Sequence, residues 1–174
     1  IYQVQLNFTA TSSSQELSLP VWIPGSYMVR EFSKNIIQVN AVQKQTTLKS
    51  TQLNKNTWLV SGLEIGVQVS VSYTVYAYEY GIRTAFLDHT RGYFNPTSLC
   101  LSLVGCEDIQ HTVNLVDLPS NWQVACGLAS PTENSFVAQN YDELLDMPFE
   151  LGTFKRLEFT VAGVSHYLVL SGTI

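Results

Sequence analysis

Residues 67–77 read Val-Gln-Val-Ser-Val-Ser-Tyr-Thr-Val-Tyr-Ala, with Val67, Val69, Val71, Tyr73, Val75 and Ala77 at the odd positions and Gln68, Ser70, Ser72, Thr74 and Tyr76 at the even ones. A period of two collects the first set on one face of a β-strand, whereas a helix would scatter it around its circumference. Shorter stretches on both sides repeat the pattern: Tyr2-Val4-Leu6-Phe8, Leu17-Leu19-Val21, Ile37-Val39-Ala41, Leu99-Leu101-Leu103 and Leu157-Phe159-Val161, followed by the continuous apolar run Tyr167-Leu168-Val169-Leu170. Between them stand turn formers: Thr11 to Ser14, Pro24-Gly25, Gly62, Gly92, Asn95-Pro96, Pro119-Ser120-Asn121, Ser130-Pro131 and Gly163. Each favours a turn or loop over a continued ladder. Only residues 141–147 look helical, with Asn140 or Asp142 as N-cap and Pro148 as the stop. About ten short strands without intervening helices predict an all-β fold, an antiparallel two-sheet sandwich or saddle with at most one short helix.

The chain has 174 residues, enough for a real core, and residues 1–174 read as one β domain without repeats, low-complexity tracts or linkers. Hydrophobic residues make up 45% and charged ones only 13%, which excludes a disordered chain. Nine Lys+Arg against fourteen Asp+Glu give a net charge of -5. The imbalance is uneven: seven cations face five anions through Ser98, and two face nine from Leu99 onward. Nucleic acid and anionic membranes are therefore not expected as partners, since both need clustered cations. No run approaches the length of apolar sequence that a spanning helix needs, and the opening on Ile1 suggests a processed or excised segment. Cys100, Cys106 and Cys126 cannot all pair within one chain, so one bridge or three free thiols are both open. An odd count leans weakly towards a reducing, cytoplasmic interior.

A search for chemistry returns little. His89, His111 and His166 are too far apart for HExxH and have no cysteine at finger-like spacing, so no metal site is expected in this chain. There is no GxSxG elbow, no phosphate-cradling glycine loop and no CxxC. Asp142, Glu143, Asp146 and Glu150 form an acidic cluster that suits the start of a short helix better than acid/base work. No catalytic or cofactor-binding residue is assigned.

Two segments stand out. Leu19 to Phe32 contains Trp22-Ile23-Pro24-Gly25-Ser26-Tyr27, where Pro24-Gly25 suits the central positions of a type II turn flanked by Trp22 and Tyr27, with Arg30 beside Glu31 beyond. Asp88 to Thr97 carries Tyr93 and Phe94 between Gly92 and Asn95-Pro96, which predicts a loop or a strand start, where binding residues concentrate.

Leu19 to Phe32, Arg91 to Asn95, Tyr141 to Leu144 continuing through Pro148 to Gly152, and Val161 to Tyr167 together resemble the amino-terminal domain of the PDZ-containing glycyl aminopeptidases, over nearly the whole chain. The resemblance implies a longer zinc peptidase that releases small amino-terminal residues such as glycine. In that family a thermolysin-like catalytic domain follows the β domain and holds zinc through HExxH and a downstream glutamate, with a PDZ-like domain later. Those residues do not occur here. The chain is therefore expected to be the non-catalytic front domain, whose partners are the catalytic domain of the same chain and, through it, the peptide substrate. Tyr93 and Asn95 are candidates to face the cleft, with Trp22, Tyr27 and Arg30 bracing that edge or an interdomain seam.

Tyr76, Tyr78 and Tyr80, spaced by two, predict an aromatic strip on the otherwise polar face of the long strand and a contact surface for the catalytic domain or a second copy. A stand-alone binding module is the alternative, because tyrosines stack on sugar faces and amides bond hydroxyls.

Overall fold

A computed structural model describes residues 1–23 and 25–172. The fold is all-β with antiparallel pairing and one short α-helix, as the alternation predicts, but the strands divide among four sheets. The largest has seven strands in the order β1 (Tyr2–Thr9), β6 (Gln68–Val75), β3 (Ile36–Gln43), β4 (Thr46–Asn54), β5 (Thr57–Ser61), β2 (Ser14–Ser18) and β9 (Ser102–Leu103). β4 changes partners along its length: Thr46 to Leu48 pair with β3, and Lys49 to Asn54 pair with β5. That hand-over lets one continuous sheet curl around a core instead of lying flat.

β6 runs through the middle of this arrangement. Val69, Val71, Tyr73 and Val75 are buried, and opposite them on β1 stand Phe8, Leu6, Val4 and Tyr2. Directly opposed residues share a face, so one register packs both apolar sets into the same interior. The Tyr73 hydroxyl lies in that core, donating to the Leu99 carbonyl at 2.9 Å and accepting from the Leu101 amide at 3.1 Å. Those bonds explain why the Leu99-Leu101-Leu103 alternation yields ladder pairing only at Ser102–Leu103: the preceding backbone is held by a side chain instead.

Two smaller sheets close the core. One orders β11 (Gln123–Ala125), β14 (Phe149–Gly152), β8 (Arg91–Phe94) and β7 (Ala85–Leu87); the other orders β10 (His111–Asn114), β13 (Ser135–Ala138) and β12 (Ala129–Thr132). Phe149 joins them, stacking on Phe94 at 4.6 Å and meeting Phe136 edge-on at 5.2 Å. Tyr2 ties the large sheet to the four-stranded one, meeting Phe94 edge-on at 5.4 Å and donating its hydroxyl to the Phe86 carbonyl at 3.0 Å. The fourth sheet is the hairpin β15 (Phe154–Val161) and β16 (Val164–Ser171).

The helix is α1 (Tyr141–Asp146), and its cap is Asn140, whose Oδ1 accepts from the Glu143 amide at 2.8 Å. The Glu143 carboxylate accepts in turn from the Gln139 amide at 2.6 Å. Asn140→Ala is expected to lower unfolding free energy by about 1 kcal/mol in urea titrations, and an unchanged midpoint would mean the cap contributes nothing. The three cysteines are free thiols.

Candidate functional site

β8 is short, and Gly92 and Phe94 face inward, so Arg91 and Tyr93 face out. Of the loop or strand start expected here, the structure has a short central strand: Gly92 and Tyr93 lie within it because Gly92 leaves room for the core, and Asn95-Pro96 end it. A Cβ there would lie 2.8 Å from the Tyr2 hydroxyl and 2.9 Å from Leu151 Cδ1. Tyr93 pairs with Glu150 on β14 and with Phe86 on β7, and Phe86 pairs in turn with Tyr78 through an isolated bridge. Directly opposed residues share a face, so Tyr78, Phe86, Tyr93 and Glu150 form one row across the outer surface.

Aromatic rings cover half of that row. Tyr80 stacks on Phe86 at 4.2 Å and Tyr78 packs on it at 5.4 Å, which buries Phe86 and leaves Tyr78 and Tyr80 60% and 72% exposed. β6 ends at Val75, where the Tyr76 amide turns to donate to the Asn35 carbonyl. The three tyrosines therefore follow the long strand instead of lying on it. Tyr78 bridges to Phe86 of the four-stranded sheet, Tyr80 stacks its ring on the same residue, and Tyr76 is exposed at the junction.

The other half of the row is ionic. Arg91 reaches Glu150 with both arms of its fork, Nε to Oε1 at 2.7 Å and Nη2 to Oε2 at 2.8 Å. The Glu150 side chain is mostly covered while that of Arg91 is half exposed. Hydrogen bonding to Glu150 raises the Arg91 pKa, and burial followed by the Glu150 charge raises that of the Tyr93 phenol. The Tyr93 hydroxyl donates to the Ile82 carbonyl at 2.8 Å, and the Arg91 guanidinium stands 5.9 Å from the Tyr93 ring centre. The result is a rigid, neutralised platform of rings beside a paired charge, without a free base or nucleophile.

Asn95 lies at the inner end of the same strand and is 6% exposed. Its Oδ1 accepts from the Thr97 amide and hydroxyl, capping the single turn Pro96–Ser98, and its backbone N–H donates to the Thr84 carbonyl. Arg30 borders a shallow recess shared with Glu31, Phe32, Glu79 and Thr84, and its Nε donates to Ser26 Oγ at 3.1 Å. Segment 79–84 thus links three of the expected residues: it borders the Arg30 recess, bonds the Asn95 amide and receives the Tyr93 hydroxyl. Trp22 and Tyr27 are 50% and 99% exposed on the loop before it. Of the Pro24-Gly25 turn, Pro24 lies outside the described residues; Gly25 has φ +77° and the Ser26 amide donates to the Ile23 carbonyl at 3.1 Å.

Residues 1–153 match the family described as the Peptidase M61 N-terminal domain. The chain belongs to that family. It is also similar to the crystal structure of an aminopeptidase N family protein from Idiomarina loihiensis, with a TM-score of 0.90 and 40% sequence identity over 98% of this chain. The match spans 30% of that protein's chain, so this M61 N-terminal domain is a minor part of the length of its structural relative. Among curated proteins nothing matches.

Among the described residues of this M61 domain no three His, Cys, Asp or Glu side chains converge as a metal site would need. His111 lies against Tyr141 at 5.5 Å, where desolvation lowers its pKa. Phe86, buried beneath Tyr78 and Tyr80, and the Arg91–Glu150 pair are the parts of this platform to which sequence reasoning gave no role. The signal for Glu150 was obscured by its acidic neighbours, since Asp142 and Glu143 sit on α1 while Glu150 is two residues past the Pro148 stop, on β14.

Proposed function

We propose that this M61 N-terminal domain is the non-catalytic front domain of an aminopeptidase that releases small amino-terminal residues such as glycine. It packs against a zinc-bearing catalytic domain of the same chain and forms one wall of its substrate cleft. The observation that carries this reading is the M61 N-terminal match over residues 1–153. The platform of Tyr78, Tyr80 and Tyr93 supports the wall: it is large, partly exposed and braced by the Arg91–Glu150 pair. Aromatic surface of this kind excludes water and limits what can enter, without chemistry of its own.

The test uses the intact protein. With Tyr78→Ser and Tyr80→Ser combined, kcat/KM for a glycyl peptide is expected to fall roughly tenfold, mainly through KM, because a wall contributes binding and not the reacting groups. Zinc content and the thermal midpoint serve as controls for the catalytic domain and the fold. Unchanged KM and kcat in a folded double variant would remove the platform from the cleft, and absence of peptidase activity in the intact wild type would remove the whole reading.

A further inference from the structure

The hairpin β15–β16 does not behave as part of the domain that precedes it. Its turn is tight, with Ala162 at φ +49° and Gly163 at φ +79°, two left-handed residues in succession that suit a two-residue hairpin connection. The register runs from Phe154 opposite Ser171 to Val161 opposite Val164. That pairing sorts the side chains onto two unlike faces. One face is the more polar, carrying Glu158, Thr160, Ser165, Ser171 and the Arg156 guanidinium 3.7 Å from the Tyr167 ring centre, together with Phe154 and Val169. The other carries Leu157, Phe159, Val161, Val164 and Leu168, all 44–60% exposed, with Leu170, with Lys155 at the open end and with His166 stacked on Phe159 at 5.4 Å.

An isolated two-stranded hairpin is marginal in water, and an exposed face with six large apolar side chains marks a surface built to be covered. The domain body does not cover it. The hairpin forms a sheet of its own, and among the described residues its one side-chain hydrogen bond to the body runs from Ser171 Oγ to Glu150 Oε1 at 2.6 Å.

Two boundaries say what does. The family match stops at residue 153, one residue before β15 begins, whereas the structural likeness extends over 98% of this chain, and so through most of the hairpin, in a protein of which it spans only 30%. We infer that residues 154–171 are the first two strands of the unit that follows the N-terminal domain, and that the Leu157–Phe159–Leu168 face is covered by a later, apolar segment of the same polypeptide. This rests on the reading that a longer protein contains this chain, and it adds which surface meets the next unit.

The experiment is hydrogen exchange across residues 154–171 in the longer protein and in the 174-residue chain. Protection is expected to rise about tenfold or more in the longer protein. Leu157→Ser with Phe159→Ser in the longer protein is expected to abolish that gain, while Thr160→Ala on the polar face leaves it intact. Equal exchange in the two proteins would overturn the inference. So would a native polypeptide no longer than 174 residues, or a concentration-dependent dimer of the short chain that protects the same face and is lost in Leu168→Asp. A protected hairpin in a longer protein without peptidase activity would sink the proposed function alone, and an active peptidase with an unprotected hairpin would sink this inference alone.

Discussion

Raising the pH past about 10 is expected to unfold the domain, with stability falling by up to roughly 4 kcal/mol per pH unit. The cause is three buried phenols. Burial is the largest effect at Tyr2, Tyr73 and Tyr141, and it lifts each far above the ordinary tyrosine value. Above the unfolded pKa the denatured chain releases those protons while the native state keeps them, so the native state binds more protons and stability falls with pH. Three protons at about 1.4 kcal/mol each per pH unit set the limiting slope. The Cys100 thiol, pushed by burial up to about 12, starts a gentler decline from roughly pH 9. Urea titrations across the alkaline range read the slope directly. Tyr73→Phe should reduce it by one proton's worth, and a free energy that stays level past pH 10 would show that these hydroxyls titrate as they do in water.

Gly92→Ala is expected to cost about 2–3 kcal/mol, an effect of overpacking and not of backbone conformation. The added methyl would meet the Tyr2 hydroxyl and Leu151 within 2.9 Å and Leu87 Cδ1 at 3.1 Å. The Tyr2 ring cannot swing away freely, since its hydroxyl is bonded to the Phe86 carbonyl and its ring is wedged on Phe94. Loss of glycine's unfolded-state entropy offsets less than 1 kcal/mol of this. In calorimetry the midpoint should fall by roughly 5–10 °C. Tyr2→Phe in the same background should recover part of the loss, because it removes the nearest atom. A midpoint within a degree of the wild type would mean that β8 and β1 can separate without cost.

What could be read from the residues is what depends on the strand's own period. The odd positions from Val69 to Val75 are buried as their alternation requires, and Asn140 caps α1 as its side chain suggests. What could not be read depends on partners chosen across the chain. Tyr73 looks like one more apolar residue of its strand, yet its hydroxyl replaces ladder bonds at Leu99 and Leu101 and leaves only two residues of that stretch as strand. Tyr76, Tyr78 and Tyr80 show the same period as the strand before them, but the Asn35 carbonyl takes the Tyr76 amide, Tyr78 bridges to a different sheet and Tyr80 only lays its ring on it. The row from Tyr78 through Phe86 and Tyr93 to Glu150 exists only through the register of three strand pairs. Spacing within one segment carries no information about that register.

The pairing of β1 with β6 also has a temporal side. Thr9 sits opposite Gln68 and Tyr2 opposite Val75, so β1 has no ladder partner on β6 until some 59 to 73 further residues have been made. At about 5–20 residues per second that is a wait of roughly 3 to 15 seconds, with Val4, Leu6 and Phe8 unpaired. β1 therefore stays open until β6 has been made, and β9, which pairs with β2, completes the far edge of the large sheet later still. A chaperone that binds extended apolar segments would find a target in β1.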